Sequence, residues 1–157
     1  MAALVEGRCL GGAFEVALAC HLVFVTPDAQ MGCPEIKLGV FPPVLAAVGP
    51  LRLGGALSDW LLLTGETMTG AQAVASGFAA PVSGFDAFLD WYRAGPAKLS
   101  AEALRIATRA ARLGAASFDE RLQVLESLYL ERVLASHDGN EGIEAFIARR
   151  APRWDDA

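Results

Sequence analysis

Little in this sequence suits a metal, a nucleic acid or a membrane. There are two histidines, His21 and His137, far apart and without metal-ligand spacing, so both read as structural and no metal site is expected. The three cysteines, Cys9, Cys20 and Cys33, form no CxxC pair, and their odd number suits reduced thiols in a cytoplasm. Thirteen basic residues face 18 acidic ones, a net charge of −5 with no basic tract, which argues against nucleic acid as a partner. Asp28, Glu35, Arg52 and Asp59 interrupt the apolar stretches before any reaches spanning length, so no membrane is expected either. The N-terminus lacks a basic region followed by a signal-type apolar segment. Repeats and low-complexity segments are missing too. What is there is a chain of 157 residues, 54% apolar and 20% charged, long enough to bury a sizeable core in a soluble, intracellular domain.

The chain has two compositional parts. Residues 1–82 are rich in Gly and Pro, with short apolar runs that predict an α/β unit. "ALVEG" reads as a buried strand, "GGAFEVALAC" as a helix starting at the glycines, and "HLVFVT" as a second strand closed by "PDA". "MGCPEIKLGVFPP" reads mostly as loop. Helices are expected near 54–64 and 70–76, the second with a Thr69–Gln72 capping box, followed by a short strand near "AAPV". Residues 83–157 read as helical throughout. Ser100 caps a helix through about Leu113, Ser117 and Glu120 box the next, and Asp138 and Glu141 box a last one ending before Pro152.

The stretch that carries chemistry is "GRCLGGAFEVALAC". It opens a helix on bare glycines and sets one carboxylate, Glu15, among Phe14, Val16, Ala17 and Leu18. The first N–H groups of a helix have no partner inside it, and the helix dipole favours negative charge there. Gly11 and Gly12 carry no Cβ, so a ligand oxygen can come close to those N–H groups. Glu15 lies one turn further on, and Glu35 sits in the loop after the next strand, which returns the chain to the same neighbourhood. Two carboxylates facing a polarising N–H suit acid–base chemistry beside a carbonyl, whereas a solvated helix edge is the plain alternative for Glu15. Other features read as structure. Trp60 to Leu63 suit core or interface, Arg105, Arg109 and Arg112 share one helix face, and "GRCLGG" lacks the ending of a P-loop.

The blocks "GRCLGGAFEVALAC", "AQMGCPEIKLGVFP" and "LTGETMTGAQAVASGFAAPV", with the tail "LYLERVLASHDGNEGIEAFIARR", resemble the crotonase (enoyl-CoA hydratase/isomerase) superfamily in order and spacing over nearly the whole chain. The resemblance implies part of a ββα spiral in residues 1–82, and an all-helical, trimer- or hexamer-building region in 83–157. It places Gly12 as an oxyanion-hole N–H for an acyl-CoA thioester, and Glu15 and Glu35 as the acids that hold and activate water. Gly11 and Cys33 fall beside them at the substrate, and Phe146 and Arg149 fall on C-terminal helix positions that in relatives touch the CoA of a neighbouring subunit. No cofactor is implied beyond the coenzyme A of the substrate. "CLGG", "GVFPP" and "LYLERVLASHD" look most like hydratases of cyclic dienoyl-CoA thioesters, cyclohexa-1,5-diene-1-carbonyl-CoA, in benzoyl-CoA degradation. The family's spiral begins about a hundred residues earlier, so a fragment, a misassigned start or a split protein is expected. Its partner would then be a missing N-terminal half, and a non-catalytic assembly piece is the alternative function.

Overall fold

A computed structural model describes residues 1–113 and 118–154. The chain opens with two short strands at an angle, β1 (Ala2–Val5) and β2 (Arg8–Leu10), then α1 (Gly12–Ala19). It repeats the move with β3 (Leu22–Val25) and β4 (Gln30–Gly32), followed by a 3-10 turn over Pro34–Leu38. The second pair stacks on the first. β1 runs parallel to β3, with Ala2 opposite Leu22, and β2 runs parallel to β4, with Arg8 opposite Gln30. This is one step of a spiral. β6 (Ala80–Pro81) extends the first sheet in parallel, and β5 (Thr67–Thr69) closes the second antiparallel to β4.

Between the sheets and the outer helices lies the core. α1 buries Phe14, Ala17 and Leu18, and Phe14 meets Phe78 edge-on at 6.0 Å between ring centres. Val5, Val25, Met31, Leu45, Leu61 and Met68 complete the same apolar cluster. α2 (Pro43–Leu53) and α3 (Gly55–Thr64) cover it. They cross closely at Gly49, where a Cβ would collide with the Ser58 hydroxyl. Pro50 lies inside α2 and costs the helix one internal hydrogen bond. The helix continues because Leu45, Ala47, Val48 and Leu53 are all buried by it. α4 (Gly70–Ala75) starts on the expected Thr69–Gln72 capping box, with both reciprocal bonds formed, at 3.1 and 2.8 Å.

From residue 85 the described elements are helical. α5 (Phe85–Ala94) lays Phe88 and Trp91 on Phe24 of β3, at 5.1 and 4.5 Å between ring centres. α6 (Ala101–Leu113) begins with Ser100 accepting from the Ala103 N–H, as expected. The Ser117–Glu120 box lies outside the described residues. α7 (Phe118–Leu128) runs through a π-type turn (Tyr129–Val133) and packs Leu122 and Leu125 on the core. α8 (His137–Ile147) follows.

Two local expectations are corrected. α8 is capped by Ser136, whose hydroxyl accepts from the Gly139 N–H at 3.0 Å, and not by an Asp138–Glu141 box. "MGCPEIKLGVFPP" is not mostly loop, because it holds β4, the 3-10 turn and the start of α2. None of the described helices is long and apolar enough to cross a membrane.

Phe14, fully buried and edge-on to Phe78, is the test of this core. Phe14→Ala should lower the free energy of unfolding by about 3–5 kcal/mol, read from the urea midpoint. A loss below about 1 kcal/mol would mean that α1 is not packed as described.

Candidate active site

The site is assembled around Gly11. β2 delivers the chain to this residue, which turns it into α1 with φ +59° and ψ −133°, a backbone that side-chain-bearing residues avoid. Its N–H donates to the Gly32 carbonyl at 2.9 Å, locking the end of β2 to the end of β4. Its carbonyl accepts the Glu15 N–H at 3.1 Å, the first bond of α1, and faces the Cys33 thiol at 3.8 Å. The Gly12 N–H therefore precedes the helical ladder and has no partner inside α1. Gly12 is exposed, and a Cβ built there would meet nothing within 4 Å.

Glu15 is half-buried and does not lie on a solvated edge. Its Oε1 accepts two N–H groups at the start of α2, from Val44 at 2.8 Å and Leu45 at 3.0 Å. A carboxylate on α1 thus caps α2, where two orphan donors and the positive end of the dipole meet it. Pro42 and Pro43 fix the entry into α2 so that these donors point at Glu15.

Glu35 sits in the first turn of the 3-10 segment. Its carboxyl covers Gly11, with Oε1 only 2.8 Å from where a Cβ on Gly11 would stand. Gly11 is thus glycine for two reasons, backbone and space. Oε2 of Glu35 is buried and has no protein partner. Burial pushes its carboxyl above the usual range; its own backbone N–H opposes this, and the Glu15 charge adds to the rise. The two acids therefore sit close enough to feel each other but in unlike environments.

The structure brings Gly11, Gly12, Glu15, Cys33 and Glu35 together. Cys33 is fully buried behind the turn, and burial followed by Glu35 and Glu15 drives its thiol well above the usual range. Phe146 and Arg149 lie elsewhere. Phe146 is 66% exposed on the outside of α8, and Arg149 lies just past the helix end with φ +53°. His21 stands at the far end of α1, with Nδ1 3.2 Å from the Met1 amine, and Arg112 donates to the Ala19 carbonyl beside it at 2.7 Å. No group of three or more His, Cys, Asp and Glu among the described residues could hold a metal. Sequence reasoning missed the Val44 and Leu45 N–H groups, although the paired prolines ahead of them are a helix-start signal.

A ββα step with a glycine turn and two acids at its mouth finds its counterpart among known proteins. The enoyl-CoA hydratase/isomerase family profile matches residues 1–157, and the chain belongs to that family. It is 41% identical to the cyclohexa-1,5-dienecarbonyl-CoA hydratase of Thauera aromatica over 153 residues, 96% of this chain and 59% of that protein. A probable enoyl-CoA hydratase of Mycobacterium bovis is 37% identical over 157 residues, 97% of this chain and 61% of that protein. The crystal structure of an enoyl-CoA hydratase from Mycobacterium avium subsp. paratuberculosis superposes with a TM-score of 0.86 at 27% identity, covering 99% of this chain and 65% of that one. The chain thus spans about three-fifths of the length of these curated relatives.

The unlike acids give a stability test. Glu35 has a raised carboxyl pKa in the folded chain, so the native state binds that proton more tightly than the unfolded state does. The resulting stability is complete below the unfolded pKa and is lost as pH rises through the folded one. Glu35→Gln keeps the neutral form at every pH. Its melting temperature should therefore gain on that of the parent as pH rises above the ordinary glutamate range. Parallel melting curves would contradict a buried Glu35. Glu15→Ala should behave oppositely, destabilising by about 1–2 kcal/mol through the loss of the α2 cap.

Proposed function

We propose that this chain carries the acid–base part of an enoyl-CoA hydratase site, adding water across the α,β double bond of an acyl-CoA thioester. The observation that carries the reading is the placement of the two acids on either side of one helix start. Glu15 is fixed by backbone donors, and the half-buried Glu35 lies over Gly11 with one buried oxygen left over. The thioester oxygen would sit on the Gly12 N–H, so that enolate character at Cα is stabilised as the water oxygen bonds to the β-carbon. One such donor is worth about 2.7–4 kcal/mol of barrier. Glu15, already an acceptor, takes the proton that water gives up. Glu35, whose burial favours its protonated form, delivers its own proton to Cα. Charge and atoms balance once Glu15 releases its proton to solvent and Glu35 takes one up after product leaves, and no cofactor is needed beyond the coenzyme A of the substrate.

The acyl group we propose is a cyclic diene, cyclohexa-1,5-diene-1-carbonyl-CoA. The support is the 41% identity to a hydratase of that name. A cytoplasmic setting suits the three free thiols, Cys9, Cys20 and Cys33. Association of copies is part of the same reading. Val124, Leu128, Leu130, Phe146 and Ile147 are 47–75% exposed on the C-terminal helices, more apolar surface than a lone chain usually leaves bare.

The test is a hydratase assay with a cyclic dienoyl-CoA and a linear 2-enoyl-CoA, run alongside light scattering. In the full-length protein Glu15→Gln and Glu35→Gln should each cut turnover by at least about a hundredfold while thioester binding survives. Gly12→Val should fold, since its position is open, and should lose binding and turnover together. Near-normal rates in both Gln variants would remove the acids from the chemistry. A monodisperse monomer would remove the association.

A further inference from the structure

The turn that carries Glu35 is held from two sides, and only one of them belongs to the site. On the inner side its carboxyl rests on Gly11. On the outer side its end, Leu38–Gly39, is pressed against α8 without intervening side chains. A Cβ on Gly142 would overlap the Leu38 carbonyl, and one on Gly39 would stand 2.6 Å from the Asp138 carbonyl. The Trp154 ring covers both glycines, 3.1 Å from the place of either Cβ. The end of the turn is tied back to Glu35 itself, because the Val40 N–H donates to the Glu35 carbonyl at 3.3 Å.

Trp154 reaches this position because the chain doubles back after α8. Arg149 takes a left-handed backbone, φ +53°, uncommon for a residue with a side chain and reason to look for what holds it there. The Arg150 N–H closes the helix end on the Ala145 carbonyl at 3.0 Å, and Glu141 holds the chain that follows. Its two oxygens take the Arg150 guanidinium in a bidentate pair at 2.5 and 2.8 Å, and Oε1 also accepts the Arg153 N–H at 2.7 Å. These bonds pull the Glu141 carboxyl down to about 2. The tail is therefore clasped along α8 one residue before Trp154.

We propose that Glu141 and Trp154 are positioning residues for Glu35: the Glu141–Arg150–Arg153 clasp seats the Trp154 ring on the end of the Glu35 turn and so keeps the Glu35 carboxyl in its buried place over Gly11. The consequence for catalysis rests on the hydratase reading above. The placement itself does not, because it can be read on this chain without substrate.

The experiment is a carbon-13 NMR titration of glutamate carboxyls in this chain, with the Glu35 resonance assigned by Glu35→Gln. It is run on the parent, Glu141→Ala, Trp154→Ala and Trp154→Phe. In the parent Glu35 should titrate above an ordinary glutamate. In Glu141→Ala and Trp154→Ala its midpoint should fall toward that of an ordinary glutamate as the turn loosens and water reaches the carboxyl. Trp154→Phe should keep the parent value, since a ring still covers the glycines. Trp154→Ala changes no charge, so a shift shared with Glu141→Ala comes from position. Trp154 lies beyond α8 and is 43% exposed, which favours folded Trp154 variants, and Trp154→Phe remains informative in any case. A lower melting temperature with an unmoved Glu35 midpoint would overturn the proposal and leave the clasp purely structural. Failure of the hydratase assay would leave this result standing.

Discussion

The left-handed turn at Gly11 is the constraint on which the rest of this structure depends. One residue ends β2, starts α1, ties the two stacked strands together through Gly32, and leaves room for a carboxyl where its side chain would be. Any other residue would have to adopt a costly backbone and displace Glu35 together. The Gly12 N–H is left without a partner inside the helix, because the helix cannot begin until Gly11 has turned. So does the closeness of the two acids. Glu15 is fixed one turn into the helix that Gly11 starts, and Glu35 is fixed by contact with Gly11 itself.

The same geometry makes the acids unlike each other. A carboxylate that accepts two N–H groups at a helix start is matched to its surroundings, and α2 is more firmly anchored for it. A carboxyl that is buried with an unpartnered oxygen is not matched, and its environment favours the proton. The first arrangement stabilises the fold, while the second costs it something. Such an uncompensated group in a folded chain points to a task, because replacing it with a neutral isostere would relieve the cost. Cys33 contributes from behind, as a buried thiol that faces the Gly11 carbonyl and adds no charge.

How much of this was legible beforehand depends on the length of each signal. "ALVEG", "HLVFVT" and "GGAFEVALAC" carry enough apolar residues to be recognised, and they became β1, β3 and α1. The three-residue strands β2, β4 and β5 were not legible, because three residues cannot show a period of two, and their pairing is set by tertiary contacts. α2 was hidden by its own prolines. Pro43 favours a helix start, but Pro50 and Gly49 argue against a helix interior, and burial overrode them. Glu15 and Glu35 were found by spacing and resemblance. What holds Glu15 was invisible, because the donors are backbone groups almost thirty residues away. The start of α8 was misread by two residues. Ser136, Asp138 and Glu141 all suit a helix start, and Glu141 is engaged by Arg150 and Arg153 instead.

The order of the strands adds a last constraint. The first sheet runs β1–β3–β6 and the second β2–β4–β5, so the two strands that enter the Gly11 turn are both sheet edges. Backbone groups along an edge bind water or another strand, and three- or four-residue edges in parallel sheets are weak on their own. Leu22 and Val16, 48% and 62% exposed, lie on the elements beside them. The turn that follows them is held on its β4 side by Gly32. Further support comes from the opposite flank. In this chain the opposite flank is the part that is built up, with α2 capped by Glu15 and α8 pressed on the Glu35 turn. The helices that cover the spiral thus do for the two acids what the sheet edges cannot do for the turn between them.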